Sequence, residues 1–462
     1  MKTPVLTTCL SLALTFAASA QTVWKAGAAK TVVTPSEPIW LAGYGDRTHP
    51  SQGMLRDIYV KALALEAEPG RPVVIVTGDL LGFPREISDP VAARCEKEFG
   101  LPRDRLELNA SHTHSAPVVH RNAFPIFNLD EKQWQAVDRY STFLIDKTVG
   151  VIGAALHDLA PAKVKFGQSF AGIAVNRRRA YPGGRNRTGQ VDPDVPVITV
   201  EAADGGLRAI LVGYACHATV LNIYQVSGDW PGFAQEAIEK QHPGAIALFV
   251  QGAGADANPL PRRSVELARA YGEVLAAAVE DVLKAPMKPV EGPIRSASEI
   301  VQVPFHHVPT REELLAQSPP PRQRFDITEN FGAYDGLLKT PHPRNARYLD
   351  ILDRGGKLPE YYPYRVEVWQ FGGSLKFIAL SGEVVSDYSI RLKGQYGWED
   401  TWVAGYSNDY FGYTPSARVL HEGGYEAIQS GYVSQFSPAI EELIVEKVAD
   451  LMARTGAPAG HK

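Results

Sequence analysis

Short runs of apolar residues alternate along this chain with longer stretches whose apolar positions recur at helical spacing. Strand-length runs lie at 73–77, 105–110, 163–167, 195–201, 208–215 and 245–251. Between several of them the pattern predicts helices, at 87–99, 130–159 and 230–241. The segment 264–284 carries Leu267, Leu275, Val279 and Val282 on one stripe and predicts a long amphipathic helix. Two more strands, 364–371 and 375–380, are separated by Gly372-Gly373 and form a hairpin, and a last helix is expected at 438–454. This alternation predicts an α/β fold of mixed β-sheets flanked by helices, in a single large domain over 21–462.

Two stretches break the pattern. Residues 1–20, MKTPVLTTCLSLALTFAASA, have an early lysine, an apolar run and an Ala-Ser-Ala end. That is the layout of a secretory signal peptide cleaved before Gln21, and it predicts an exported protein, periplasmic or secreted. No later run is long and apolar enough to predict an integral membrane segment. From 304 to 363 the chain turns rich in proline and charge, with one short helix expected at 311–317. An excursion of this length is expected to be an insertion or a lid.

The ends of the strands carry the candidate chemistry. Residues 106–110 run into Ser-His-Thr-His-Ser, which holds His112 and His114. The strand at 208–215 runs into Cys216-His217, the one at 245–251 into QGAGADANP with Asp256, and the one at 375–380 into Ser381-Gly382-Glu383. Ligands of open α/β sheets bind beyond the carboxyl ends of strands, so these residues are expected to converge. His112, His217 and Glu383 form a candidate metal set of two imidazoles and one carboxylate. Such a set suits a catalytic zinc with one coordination position left open, better than calcium or magnesium.

Charge and cysteine content narrow the picture. A formal net charge of −4 predicts no attraction to nucleic acid. Three cysteines, of which Cys9 belongs to the signal segment, make no disulfide framework, and Cys95 and Cys216 are expected as free thiols.

Several motifs together resemble the catalytic domain of neutral ceramidases: AGAAKTVVTP…AGYGDR (26–47), SHTHSAP (111–117), YACHATVLN (214–222), QGAGADANP (251–259), SGEVVSDY (381–388) and YSNDYFGYTP (406–415). The likeness spans residues 24 to 430, with the motifs in the family's order. It implies a zinc hydrolase that cleaves the amide of an N-acyl compound, with one zinc per chain and a small or lipid-like substrate. By this resemblance His112, His217 and Glu383 are zinc ligands and Tyr413 the fourth, close enough to stabilise an oxyanion. His114 is expected as a proton carrier and Asp256 as an acceptor that orients a ligand histidine. Arg177 and Tyr181 fall in the family's substrate-side loop, and Tyr410 is expected at the substrate as well.

One departure bears on mechanism. The family's catalytic serine follows the glutamine of QGAGADANP, where this chain has Gly252, and no serine or threonine stands elsewhere in that stretch. Water activated by zinc is the expected nucleophile, with Gly252 leaving room for it or for a bulkier substrate. Hydrolysis of an ester, lactone or glycan-derived substrate on the same fold, or ligand binding without catalysis, are the alternatives.

Overall fold

The structure is a computed structural model that describes residues 24–121, 129–180, 189–316, 343–431 and 433–456. Its larger sheet contains β1 (Lys25–Val32), β2 (Tyr59–Glu66), β3 (Val73–Gly78), β4 (Leu106–Ala110), β5 (Ala160–Phe170), β6 (Asp194–Ala202), β7 (Leu207–Tyr214) and β8 (Ile246–Gln251). Their order is β4-β3-β2-β1-β5-β6-β7-β8, with the short strand Lys288–Pro289 beside β5. Only the outer pairs, β3 with β4 and β7 with β8, are parallel. Each of these crossovers carries a helix, α1 (Arg85–Phe99) in the first and α2 (Asp229–Gln241) in the second. The two edge strands then meet at one point, where the Asn109 amide accepts from Gln251 N at 2.7 Å and donates to Gly405 O at 2.7 Å.

A second sheet is built from β9 (Ile294–Pro304), β10 (Tyr361–Phe371), β11 (Leu375–Leu380) and β12 (Thr401–Ala404) in that order. Strand alternation explains how the two sheets stack. In β3, Val73 and Ile75 face Trp369, Phe377 and Trp402 of the second sheet, whereas Val74 and Val76 pack with Ile87 and Val91 of α1. In β7, Ala209 and Leu211 join the inter-sheet core, and Ile210 and Val212 pack under helices. The outer face of the second sheet is closed by Ile444, Val448 and Leu451 of α3 (Ile440–Thr455). The result is four layers, helix–sheet–sheet–helix, and every strand with two buried faces reads as a nearly continuous apolar run.

The fold agrees with the expected class. The helix expected at 130–159 is Glu131–His157, started by an Asp130–Gln133 capping box, and the one at 264–284 is Val265–Lys284 with Ser264 as its cap. Several elements were not foreseen, among them β2 (Tyr59–Glu66), β9 (Ile294–Pro304) and β12 (Thr401–Ala404). β1 reads KAGAAKTV, with almost no β-branched residues, yet it lies at the centre of the sheet because Tyr59–Glu66 and Ala160–Phe170 pair on either side. Ser386–Tyr396 and Pro343–Asp353 form helices, the latter inside the stretch expected to be an insertion. Residues 317–342 of that stretch, and the signal segment, lie outside the described residues. Cys95 and Cys216 are free and buried. No helix among the described residues is long and apolar enough to cross a membrane.

Candidate active site

The ends of β4, β7 and β11 approach one another at one rim of the two sheets. Beyond β4, Ser111 N donates to Gly78 O at 2.9 Å, and His112 then takes a positive φ of 61°. Such a backbone conformation is unfavourable for a side chain with a Cβ and persists only where the surroundings enforce it. Tyr406 and Asn408, on the loop facing it, also have positive φ, and Asn408 N is held by Leu108 O at 2.7 Å. Glu383 follows β11 and pairs with Tyr413 in a two-residue parallel ladder. Three distant parts of the sequence are thereby fixed by backbone hydrogen bonds before any side chain is considered.

The side chains settle which atoms face inward. His112 Nδ1 lies 2.9 Å from Leu81 O, and His217 Nδ1 lies 3.1 Å from Gly254 O. A carbonyl only accepts, so each Nδ1 carries a proton, and in the neutral ring that leaves Nε2 as an acceptor with its lone pair turned inward. Both Nε2 atoms face the same Glu383 oxygen, Oε2, at 3.3 Å from His112 and 3.4 Å from His217. That oxygen is buried and receives no hydrogen bond, whereas Oε1 accepts one from Tyr410 Oη at 3.0 Å. Three acceptor atoms thus converge with nothing donated between them. Tetrahedral coordination with bonds of about 2.0–2.1 Å sets neighbouring ligands about 3.3 Å apart, so the spacing suits a zinc ion at their centre.

His114 belongs to the same group. Its Nε2 lies 3.2 Å from His112 Nε2, and the ligating atoms of His112, His114 and His217 all lie within 4.8 Å of one another. Its Nδ1 is buried without a hydrogen-bond partner. Burial, and then His112 and His217, hold the His114 imidazole well below its usual pKa, and burial with Arg177 lowers His217 to about 4. Neutral imidazoles, the state these shifts favour at His114 and His217, are what metal ligation requires.

Tyr413 Oη stands 3.5 Å from His217 Nε2 and accepts from Arg177 Nη2 at 2.9 Å. Arg177 is anchored in turn by Glu426, Nε to Oε1 at 2.7 Å, and Arg178 holds the other oxygen of the same carboxylate at 2.5 Å. The arginine run that ordinarily would be a solvated surface is here a buried clamp. His114, His217, Tyr413 and Arg177 line one cavity of about 60 Å³.

The structure departs from expectation at three positions. Asp256 touches no histidine, because its carboxylate accepts from Ser386 N and Oγ at 2.8 and 2.9 Å and from Asn176 Nδ2 at 2.9 Å. The backbone carbonyls of Leu81 and Gly254 orient the rings instead. Tyr410 is spent on Glu383 and does not line the cavity, so it positions a ligand. Gly252 opens no free space, since a Cβ there would already meet the Ala215 Cβ at 3.0 Å, a tight contact. Tyr181 lies outside the described residues.

Sequence reasoning missed Tyr406, whose ring lies 4.5 Å from that of His112, and Tyr44, whose ring meets His114 edge-on at 4.6 Å. It also missed Arg262 and Arg263 in the cavity wall. The AGYGDR motif was the available signal for Tyr44. A Cβ on Gly43 would lie 2.3 Å from His114 Cγ, so only glycine lets this loop cover the ring.

The profile of the neutral/alkaline non-lysosomal ceramidase N-terminal domain matches residues 24–259, which contain His112, His114, Arg177 and His217. The chain belongs to this family. Among solved structures, the ceramidase fold recurs in neutral ceramidase from Pseudomonas aeruginosa, with a TM-score of 0.70 at 18% identity over 95% of this chain and 75% of that one. A ceramidase complexed with C2 matches with the same score and identity, over 96% of this chain and 77% of the other. At such identity the likeness is one of fold. Among curated proteins none matches. Glu383 and Tyr413 lie beyond the matched segment of the ceramidase domain, and it is the fold that carries them to the histidines.

Proposed function

We propose that this ceramidase-family protein is an exported zinc-dependent hydrolase that cleaves an N-acyl amide with water as the nucleophile. The observation that carries the reading is the convergence of His112 Nε2, His217 Nε2 and Glu383 Oε2, three acceptors that a cation would unite. These residues, with Tyr413 as the fourth ligand, would hold zinc. When bound there, zinc supplies Lewis acidity for a carbonyl oxygen and lowers the pKa of water to about 7.

The chain's own groups account for the remaining tasks. His114 is neutral and lines the cavity, so it can take a proton from water and pass it to the leaving amine. Tyr413 Oη, polarised by Arg177, stands where negative charge on the carbonyl oxygen would develop. Gly252, at the position of the family's serine, has no hydroxyl to attack with, which favours water over an acyl-enzyme route. The same groups would also serve an ester, but the family assignment favours the amide.

Metal analysis tests the proposal. The purified protein is expected to hold about one zinc per chain, and His112→Ala and Glu383→Ala to lose it. The loaded protein is expected to release amine from N-acyl substrates. Wild-type protein without stoichiometric metal, or metal retained in both variants, would overturn the reading. Export is tested separately by sequencing the mature N-terminus, which is expected at Gln21; an intact leader on the exported chain would refute cleavage there.

A further inference from the structure

The cavity next to the proposed zinc ligands has a second chemical character, set by two consecutive arginines. Arg262 and Arg263 both line it, and among its described lining residues Asp46 is the only carboxylate. Arg263 Nη1 donates to Tyr44 Oη at 3.0 Å, and its guanidinium lies 5.4 Å from the Tyr44 ring centre. Its Nε is buried without a hydrogen-bond partner, and among the described residues it forms no ion pair. Tyr44 Oη also contacts Leu221 O at 2.9 Å, which fixes the tyrosine between Arg263 and the His114 ring. Arg263 has a positive φ of 95°, a strained conformation secured by its amide donating to Val220 O at 2.7 Å. Arg262 reaches Thr219 Oγ1 at 3.5 Å.

Burial, and then Arg263, lower the Arg262 guanidinium to about 10, and Asp229 offsets part of this. Planar guanidinium groups side by side in a cavity wall match the oxygens of carboxylates and phosphates.

We propose that Arg262 and Arg263 form an oxyanion subsite, so that the substrate is an N-acyl compound bearing a carboxylate or phosphate close to the scissile amide. This rests on the hydrolase reading above for the amide and goes beyond it for the anion. The subsite places a fixed negative group beyond Tyr44 and His114, with the amide left at the cavity floor beside His217 and Tyr413. A neutral sphingoid amide offers nothing to these arginines.

Calorimetric binding of N-hexanoylglycine, its neutral carboxamide and N-hexanoylethanolamine phosphate to the zinc-loaded protein tests the subsite, with amine release measured in parallel. One or both anionic compounds are expected to bind about tenfold more tightly than the carboxamide, the value of a charge-assisted hydrogen bond. The order of the two anions names the source of the oxyanion. In Arg262→Gln and Arg263→Gln the ratio of anion to carboxamide affinity is expected to fall toward one, and Arg→Lys variants are expected to retain part of it. Equal binding of all three compounds by the wild type, or a ratio unchanged in both Gln variants, would overturn the subsite. Discrimination without cleavage of any compound would leave the subsite standing and refute the hydrolase instead.

Discussion

At residue scale the informative position is Gly252. The sequence shows a missing hydroxyl, and only the backbone shows why the site cannot simply regain it. Residues 252–257 run directly against the end of β7, with Gly252 N donating to Tyr214 O at 2.9 Å, so the direction a side chain would take is filled by Ala215. Gly252→Ser is therefore expected to destabilise the protein by about 1–3 kcal/mol through overpacking. It should not introduce a competent nucleophile. Adding Ala215→Gly should recover part of the loss, since the two sites share one gap and their effects are not additive. Thermal unfolding of the single and double variants checks this, and a Gly252→Ser protein as stable as the wild type would refute it. The histidines were legible from the sequence because each follows a strongly apolar strand. The roles of Asp256 and Tyr410 were not, since an acidic or phenolic side chain near a site has many partners, and only coordinates show that Ser386 and Glu383 claim these two.

Among the elements, β4 and β10 face each other through a buried pair of carboxylates. Glu107 and Glu367 are both linked to Asn408 Nδ2, at 2.5 and 3.3 Å, with Arg103 3.9 Å from Glu367. Burial raises both groups, Glu367 adds to the rise of Glu107, and Arg103 and Arg365 only partly offset it at Glu367, where Asp104 also opposes them. The pair thus binds more protons in the folded state than in the unfolded one above a pH of about 4.5, the ordinary glutamate value. Stability must then fall as pH rises from there through the raised values, by on the order of 2 kcal/mol. Glu367→Gln is expected to flatten that fall. Melting temperatures between pH 5 and 8 decide it, and an unchanged slope in the variant would place the titration elsewhere. What the sequence could say at this scale followed apolar periodicity: strands with two buried faces and helices with caps were visible, whereas β1, built from alanine, glycine and lysine, gains its place only from its neighbours.

Across the whole molecule, the proposed ligands do not come from one layer. His112 and His217 follow strands of the larger sheet, Glu383 follows a strand of the smaller one, and Tyr413 is tied through Arg177 to Glu426 on the short helix Tyr425–Ile428. An ion shared among them would cross-link the two sheets at the one edge where their apolar contact gives way to polar side chains. Anything that binds only the folded state stabilises it in proportion to the logarithm of its free concentration, about 2.7 kcal/mol at a hundred times Kd. For a chain of this length that amounts to a few degrees in melting temperature. Chelation is accordingly expected to lower the melting temperature, zinc to restore it, and the His112→Ala protein to respond to neither. Because the ligands span both sheets, the shift should be equal whether unfolding is followed by tryptophan fluorescence, to which the inter-sheet residues Trp24, Trp369 and Trp402 contribute, or by helix content. A shift confined to one probe would mean that the ion holds a single layer, and no shift at all would mean that the three converging acceptors are reconciled by protons and not by metal.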